Sequence, residues 1–374
     1  MRNLKRTLSL ALAAIMLVGM MVVSASAASY NNLTDKDEIV NKDAVSMLVS
    51  LGIIEGKPDG SYAPTENVDR AQMAKMLSVI MNKGVDNSAL YQSVNSGLTD
   101  ITSHWAKGHI NYCYTTGIIA GRGNGKFDPS ATVTALEAAK MLLVAVGYDP
   151  AIEGFEGADW AINVSVRADE QGIFEGFTKD LSAPLNRDDA ALLIYNALDV
   201  EMIQSYTTNN YPIVYSDHRT ILSDKYGVIK VEGVVTANEW AILDDDTDTA
   251  LQEGKTRIYN PDGILSTTGN TAVAQDSSAN VKTQVFNVST PVDMLGKAVT
   301  MYVKKTTILA DSTVYGAPVV SDVNTVIETG EKVTGGDSKD DDSLAALLKG
   351  TGLATDKATE YYHNYEEVAI DSAD

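Results

Sequence analysis

A chain of 374 residues is long enough for two or three domains of ordinary size. Fifty acidic against 29 basic residues give a formal charge of −21, which argues against nucleic acid and anionic lipid as partners, because like charges repel. Cys113 is the only cysteine, so an intrachain disulfide is excluded.

Arg2, Lys5 and Arg6 precede an almost wholly apolar run over 8–23, and Ala25-Ser26-Ala27 follows with small residues at signal-peptidase spacing. Residues 1–27 therefore read as a secretory signal peptide cleaved before Ala28. The alternative is an uncleaved anchor, for which the apolar run is short. The segment holds three basic and no acidic residues, so its removal takes the formal charge to −24. No later stretch is apolar enough to cross a bilayer, no Cys follows the cleavage site to take a lipid, and no apolar tail closes the chain. The expectation is a secreted chain, without membrane attachment after cleavage, that either diffuses away or holds the cell surface non-covalently.

An internal repeat organises the next 170 or so residues. Gly52–Gly56 reads GIIEG, Gly117–Gly121 reads GIIAG and Gly172–Gly176 reads GIFEG, at spacings of 65 and 55. Asp59-Gly60, Tyr62 and Pro64 follow the first copy; Asn124-Gly125, Phe127 and Pro129 follow the second. The third keeps Pro184 alone and is three residues shorter before its next helix. Asp-Gly and Asn-Gly tolerate positive φ and form turns. Helical spacing flanks each turn: Ala44, Val45, Leu48 and Leu51 before the first, Met73, Met76, Leu77 and Ile80 after it, and Ala190, Leu193, Ile194 and Ala197 after the third. Each repeat is thus helix, Gly-rich turn, helix, and three such hairpins must pack together to bury their apolar stripes. Cys113 falls at the place of Leu48 and Ala168, which reads as a small buried apolar position.

Thr134 with Glu137 has the form of a capping box, as do Asp69 with Gln72 and Asn186 with Asp189. Arg70 and Arg187 come directly after their caps, where a cation opposes the helix dipole. Two explanations stand side by side: an acidic ligand held at the helix mouth, or a surface arginine paired with a nearby Asp or Glu.

These residues resemble the S-layer homology domains of bacterial surface proteins, whose pattern runs roughly F-x-D-V-x-x-H-W-A, a helix, G-I-I-x-G, D-G-x-F-x-P and T-R-A-E. Repeat two matches most fully, with Leu98, Asp100, His104-Trp105-Ala106, Gly117–Gly121, Phe127, Pro129 and Thr134–Glu137. Repeat one keeps Asp35, Tyr62, Pro64 and Arg70 but has Ile39-Val40 for His-Trp; repeat three keeps Trp160 and Arg187 but has Phe155 for the Asp. The resemblance covers about residues 33–200 and implies an all-α, pseudo-threefold module of three repeats with grooves between neighbours. It also implies a ligand, secondary cell-wall polysaccharide, often carrying a pyruvyl ketal whose carboxylate suits an arginine. The family's Arg, Asp and Trp carry over to Arg70, Arg187, Asp35, Asp100, Trp105 and Trp160, with Gly56 and Gly121 counted on the same surface. Ala135 stands where a further Arg belongs. If a groove takes its Arg from one repeat and its Asp and Trp from the next, the Arg70, Asp100 and Trp105 groove is the complete and dominant one. Trp105 also has a reading as core packing at a helix start, compatible with the first.

From about residue 206 the helical spacing fades. Ile229, Val231 and Val235 alternate on one side, as do Val299, Met301 and Val303, with turn signals at Pro261-Asp262-Gly263 and Gly269-Asn270. This reads as an all-β domain, sandwich or barrel. The expected organisation of this multidomain chain is signal peptide 1–27, repeats 28–84, 85–148 and 149–205, a β-rich domain 206–332, and an acidic linker or tail 333–374 with a short helix near Leu344–Leu348, for which the start of a truncated further domain is the alternative reading.

No catalytic, metal or cofactor site stands out. His104 and His109 are five apart and do not share a helix face, no nucleophile elbow appears, and Gly121–Gly125 follows a helix as a phosphate loop does not. Asp244, Asp245, Asp246 and Asp248 lack the closing Glu of a calcium loop. The expectation is a non-enzymatic surface protein, with self-association in a surface layer open to it; the alternative is an anchored extracellular enzyme such as a polysaccharide or wall hydrolase.

Overall fold

The computed structural model describes residues 30–243, 250–260, 282–304 and 313–321, with backbone alone at 361–363 and 366–368. The expected signal peptide, the acidic turn at 244–248, the turns at 261–263 and 269–270 and the linker and short helix over 333–348 lie outside the described residues.

A helical region is followed by a β-rich one. Two helices fall within each repeat in chain order, α1 (Lys42–Ser50) and α2 (Arg70–Met81), α3 (Lys107–Thr115) and α4 (Ala135–Val146), and α5 (Trp160–Glu170) and α6 (Arg187–Leu198). Each first helix stops the same way. Gly52, Gly117 and Gly172, the leading glycines of the three repeated motifs, take φ of 70°, 80° and 68°, a left-handed cap that residues with a Cβ avoid. The apolar face of α1 buries Ala44, Val45 and Leu48, and that of α2 buries Met73, Leu77 and Ile80. Cys113 is fully buried beside the Ala74 carbonyl, and burial pushes its thiol pKa up, as a structural cysteine requires.

The described residues form two compact units. The first takes the chain up to Thr115 with Ala120–Ala135 and Phe177–Leu192; the second takes Thr116–Ile119, Leu136–Gly176 and the residues from Leu193 on.

In the first unit three backbone hydrogen bonds close a ring. The Val68 amide donates to the Leu185 carbonyl (2.8 Å), the Leu185 amide to Val133 (2.7 Å) and the Val133 amide to Val68 (2.9 Å). Each of the three stands two residues before the start of α2, α4 or α6, and each is buried. Bridges Asn67–Asn186, Asp69–Thr132 and Thr134–Pro184 flank the ring. Pro184 therefore corresponds to Asn67 and Thr132, not to Pro64 and Pro129 as the spacing suggested. The missing residues of repeat three lie within its turn, and Lys179 holds the place of Tyr62 and Phe127, eight residues before the helix start.

In the second unit one antiparallel sheet has the order β5-β4-β3-β6-β7, formed by β3 (Val228–Ala237), β4 (Thr256–Tyr259), β5 (Thr283–Phe286), β6 (Ala298–Lys304) and β7 (Val314–Val320). A hairpin of β1 (Ile203–Tyr206) and β2 (Pro212–Val214) precedes it, and β8 (Tyr361–His363) pairs β9 (Glu366–Val368). The alternating residues read from the sequence make the core: Ile229, Val231, Val235, Val299, Met301 and Val303 pack with Ile258 and Phe286. A sandwich or closed barrel is not formed among the described residues, since the five-stranded sheet ends on β5 and β7. The C-terminal half of α6 meets this sheet through Tyr195 and Tyr302, rings 5.8 Å apart, and through Lys230 and Asp199 at 3.4 Å.

Gly108 in α3 approaches the 3-10 turn Ser88–Tyr91 so closely that a Cβ would stand 2.1 Å from the Ser88 carbonyl oxygen. Alanine is otherwise worth about 1 kcal/mol over glycine within a helix. Gly108→Ala should nevertheless lower stability in a denaturant titration, by about 1–3 kcal/mol for an overpacked site. A stabilised variant would contradict this packing.

Candidate ligand groove

The first-turn amides of α2 and α6 are the natural anion sites of those helices, and the fold consumes them. In α2, the Arg70 amide donates to the Ala131 carbonyl (2.9 Å), Ala71 to Pro129 (3.0 Å) and Gln72 to the Asp69 side chain (2.7 Å). In α6, Arg187 donates to Glu66 (2.8 Å), Asp188 to Pro64 (3.1 Å) and Asp189 to the Asn186 side chain (2.7 Å). The capping box expected at Asp69 is complete, with Gln72 Oε1 returning a bond to the Asp69 amide; at Asn186 the Asp189 amide makes the cap bond, and the Asp189 carboxylate pairs with Lys179. The first-turn amides are thus taken by carbonyls of another repeat and by the cap side chains, so an acidic ligand there would have to be met by the arginine side chains and not by the helix amides.

The two arginines do matching work. Arg70 stacks over the Phe127 ring at 4.4 Å, with Nε donating to the Phe127 carbonyl (2.9 Å) and Nη2 to Ala120 (2.8 Å). Arg187 stacks over Tyr62 at 4.7 Å, with Nε donating to the Tyr62 carbonyl (2.7 Å) and Nη2 to Glu55 (3.2 Å). Each guanidinium pins the turn of another repeat through backbone acceptors, an arrangement neither explanation from sequence foresaw. They differ in exposure. Arg70 is only 4% exposed, whereas Arg187 is half-buried, and its Nη1 carries no hydrogen bond among the described residues.

Arg187 lines a groove of about 270 Å³ in the first unit. One wall is the turn of repeat one, Ile53 to Pro58 with Tyr62; α2 contributes Gln72, Lys75 and Met76; Trp105 of repeat two closes it. Trp105 is 56% exposed, so the core-packing reading fails and its ring is open to a ligand. Lys57 pairs with Glu66, and Lys75 lies 3.9 Å from Glu55. Such exposed pairs are weak and open to exchange with an incoming anion. The groove therefore offers three side-chain cations, an exposed indole and the Gly56 backbone.

The expected set of Arg70, Asp100 and Trp105 is corrected by this geometry. Trp105 shares its groove with Arg187 and Gly56, and Arg70 lies beneath Phe127 outside that lining. Asp100 accepts the Phe127 amide at 3.0 Å and the Asp128 amide at 2.8 Å, and Asp35 accepts the Tyr62 and Ala63 amides, both at 2.7 Å. These carboxylates hold Asp128 and Ala63 at positive φ, 61° and 57°. They shape the turns rather than reach for a sugar. Asp100 also borders a separate open depression with Arg122, Lys126 and Asp128. At Gly121 a Cβ would stand 2.8 Å from the Lys126 carbonyl oxygen, so the turn itself demands glycine there. Trp160 belongs to the second unit, where the Lys140 ammonium stands 5.7 Å from its ring centre. Val40, at the place of Trp105 in repeat one, is exposed and lines no part of the Arg187 groove.

The model of the S-layer homology domain matches residues 32–74 and 97–139, which are repeats one and two. These are S-layer homology domains. A cell surface protein of Thermoanaerobacter kivui is 28% identical over 270 residues, 71% of this chain and 32% of the relative. An S-layer protein of Bacillus licheniformis is 32% identical over 113 residues, 30% of this chain and 12% of the relative. An amylopullulanase of Thermoanaerobacterium thermosulfurigenes is 31% identical over 172 residues, 42% of this chain and 9% of the enzyme. The chain thus spans at most about a third of the length of these relatives. The domain and the surface-protein relatives make this a secreted, wall-associated protein.

Within the S-layer homology repeats, Lys57 and Lys75 were not singled out from sequence, and Gln72 was read only as the capping partner of Asp69. Lys57 directly follows the GIIEG motif, and Gln72 and Lys75 lie one turn apart on α2, so the signal was adjacency to the motif. The turn carboxylates make a pH prediction. Partial burial works to raise the Asp100 pKa, but the Phe127 and Asp128 amides outweigh it and hold it below the ordinary 3.8. A carboxylate depressed in the fold stabilises it above the unfolded value and loses that contribution as pH falls through the folded one. Asp100→Asn should cost about 1–3 kcal/mol at pH 7 in urea titrations. The gap from wild type should narrow below pH 3.8. An equal gap at pH 7 and in strong acid would contradict it.

Proposed function

We propose that the chain holds itself on the bacterial wall by binding an acidic secondary cell-wall polysaccharide in the Arg187–Trp105 groove. The observation that carries this reading is the meeting of an exposed indole with three cations, one an arginine whose Nη1 edge carries no hydrogen bond among the described residues, in a chain of formal charge −21. Trp105 would pack on a sugar face, and Arg187 Nη1 would take a carboxylate such as that of a pyruvyl ketal. Lys57 and Lys75 would leave their glutamates for the ligand's charge. The bond ring supports a pseudo-threefold arrangement of the repeats. The role is non-catalytic, that of a surface or S-layer structural protein, with self-association through parts beyond this groove.

The test is co-sedimentation with purified wall sacculi, with and without their polysaccharide. Trp105→Ala should weaken binding about tenfold, equivalent to about 1.4 kcal/mol, with little change in melting temperature because the ring is exposed. Lys75→Gln should weaken it about threefold, an effect that fades in high salt. Arg70→Ala should lower the melting temperature. Unchanged binding by Trp105→Ala, or full retention on stripped sacculi, would overturn the reading.

A further inference from the structure

Behind the groove wall lies a titratable group that the anchoring reading does not use. His109, in α3, is 4% exposed. Its Nδ1 is 2.6 Å from the Ser78 hydroxyl, which itself donates to the Lys75 carbonyl at 2.9 Å. Its ring meets that of Trp105 edge to face, centroids 6.3 Å apart. One buried imidazole thus touches both the indole of the groove and, through Ser78, the turn of α2 that carries Lys75.

We propose that His109 is a positioning residue for the groove, bracing Trp105 and the Lys75 turn in the binding arrangement while neutral and loosening both when protonated. The proposal rests on the anchoring role of that groove.

The groups facing His109 set the direction. From α2 come Lys75, a cation, and Ser78, whose hydroxyl hydrogen is spent on the Lys75 carbonyl, so that its oxygen accepts from Nδ1–H and leaves Nε2 as the nitrogen that takes up a proton. From the loop after α2 comes Asp86, its Oδ2 3.7 Å from Nε2. From the start of α3 comes Trp105, which carries no charge. Burial lowers the imidazole pKa most and Lys75 adds to this, while Asp86 alone opposes them. Asp86 remains ionised, since burial tends to raise its pKa but the Ser88 hydroxyl and amide hold it low. A group the fold keeps neutral costs stability as pH falls from 6.5, the free-imidazole value, through the folded one. The loss falls on the segment that shapes the groove.

Two readings of the full chain test this. The first is fluorescence of Trp105 as sole indole, with Trp160→Phe and Trp240→Phe, and with His104→Gln because the His104 ring lies 5.6 Å from Trp105. An imidazolium quenches a neighbouring indole. The emission should fall in a transition centred below pH 6.5. His109→Asn, which keeps a donor near Ser78, should abolish the transition. Asp86→Asn, a change at an exposed carboxylate that keeps the fold, should move it to lower pH. The second is sedimentation of otherwise unaltered protein with polysaccharide-bearing sacculi between pH 7.5 and 5. Wild type should weaken by up to about tenfold per pH unit for one linked proton, and His109→Asn should bind at a level that stays flat over the same range. A transition that survives in His109→Asn, a midpoint unmoved by Asp86→Asn, or parallel binding curves for His109→Asn and wild type overturns the proposal. Loss of binding by Trp105→Ala alongside such parallel curves confines the failure to His109. Retention of binding by Trp105→Ala topples the groove reading, and the binding half of this proposal with it.

Discussion

Three amide-to-carbonyl bonds, Val68 to Leu185 to Val133 and back to Val68, decide what the rest of the first unit can be. Buried backbone donors must find acceptors, and here each repeat supplies an acceptor to another. The ring brings the starts of α2, α4 and α6 to one place, and at α2 and α6 the first free amides of the helix are spent on carbonyls of another repeat. Their positive ends are thereby sealed. Any charge shown to an acidic partner has to come from side chains, and the groove supplies it as Arg187, Lys57 and Lys75.

The same closure makes the groove composite. Its floor and turn come from repeat one, its indole from repeat two and its guanidinium from repeat three. No single hairpin carries the whole site. Arg187 has two duties, since the Nε and Nη2 that pin Tyr62 and Glu55 also orient the remaining edge of the fork. Asp188, the next residue, ties repeat three to repeat one again by accepting the Val40 and Asn41 amides at 3.2 Å, where Asn41 makes no cap of its own. Repeat two has Ala135 at the arginine position, and repeat three has Lys179 where an arginine would find an aromatic ring to stack on. The missing cation and the missing ring fall in the pair of positions that the other repeats use together.

Much of this was legible in the chain because it is local. Left-handed glycines ended the first helices at Gly52, Gly117 and Gly172; Asp69 with Gln72 announced a cap; the alternation of Val299, Met301 and Val303 named one face of β6. What was not legible depends on which repeats meet. Position alone put Arg70 with Trp105, whereas the ring hands Trp105 to Arg187. Spacing equated Pro184 with Pro64, and the Thr134–Pro184 bridge moved the deletion into the turn instead. Asp35 and Asp100 entered as ligand groups through the family resemblance alone; their acceptance of two backbone amides each is a tertiary fact. The alternation in β3 and β6 likewise gave no sign that, among the described residues, the sheet ends on β5 and β7 without closing.

Native-state hydrogen exchange at the Val68, Val133 and Leu185 amides tests the closed ring most directly. If these three bonds hold the repeats together, the amides should exchange at one common rate, through the opening that also exposes the core of α2. Exchange of any one of them well ahead of the other two, with α2 still protected, would show that the repeats fold separately and that the groove is not a product of their closure.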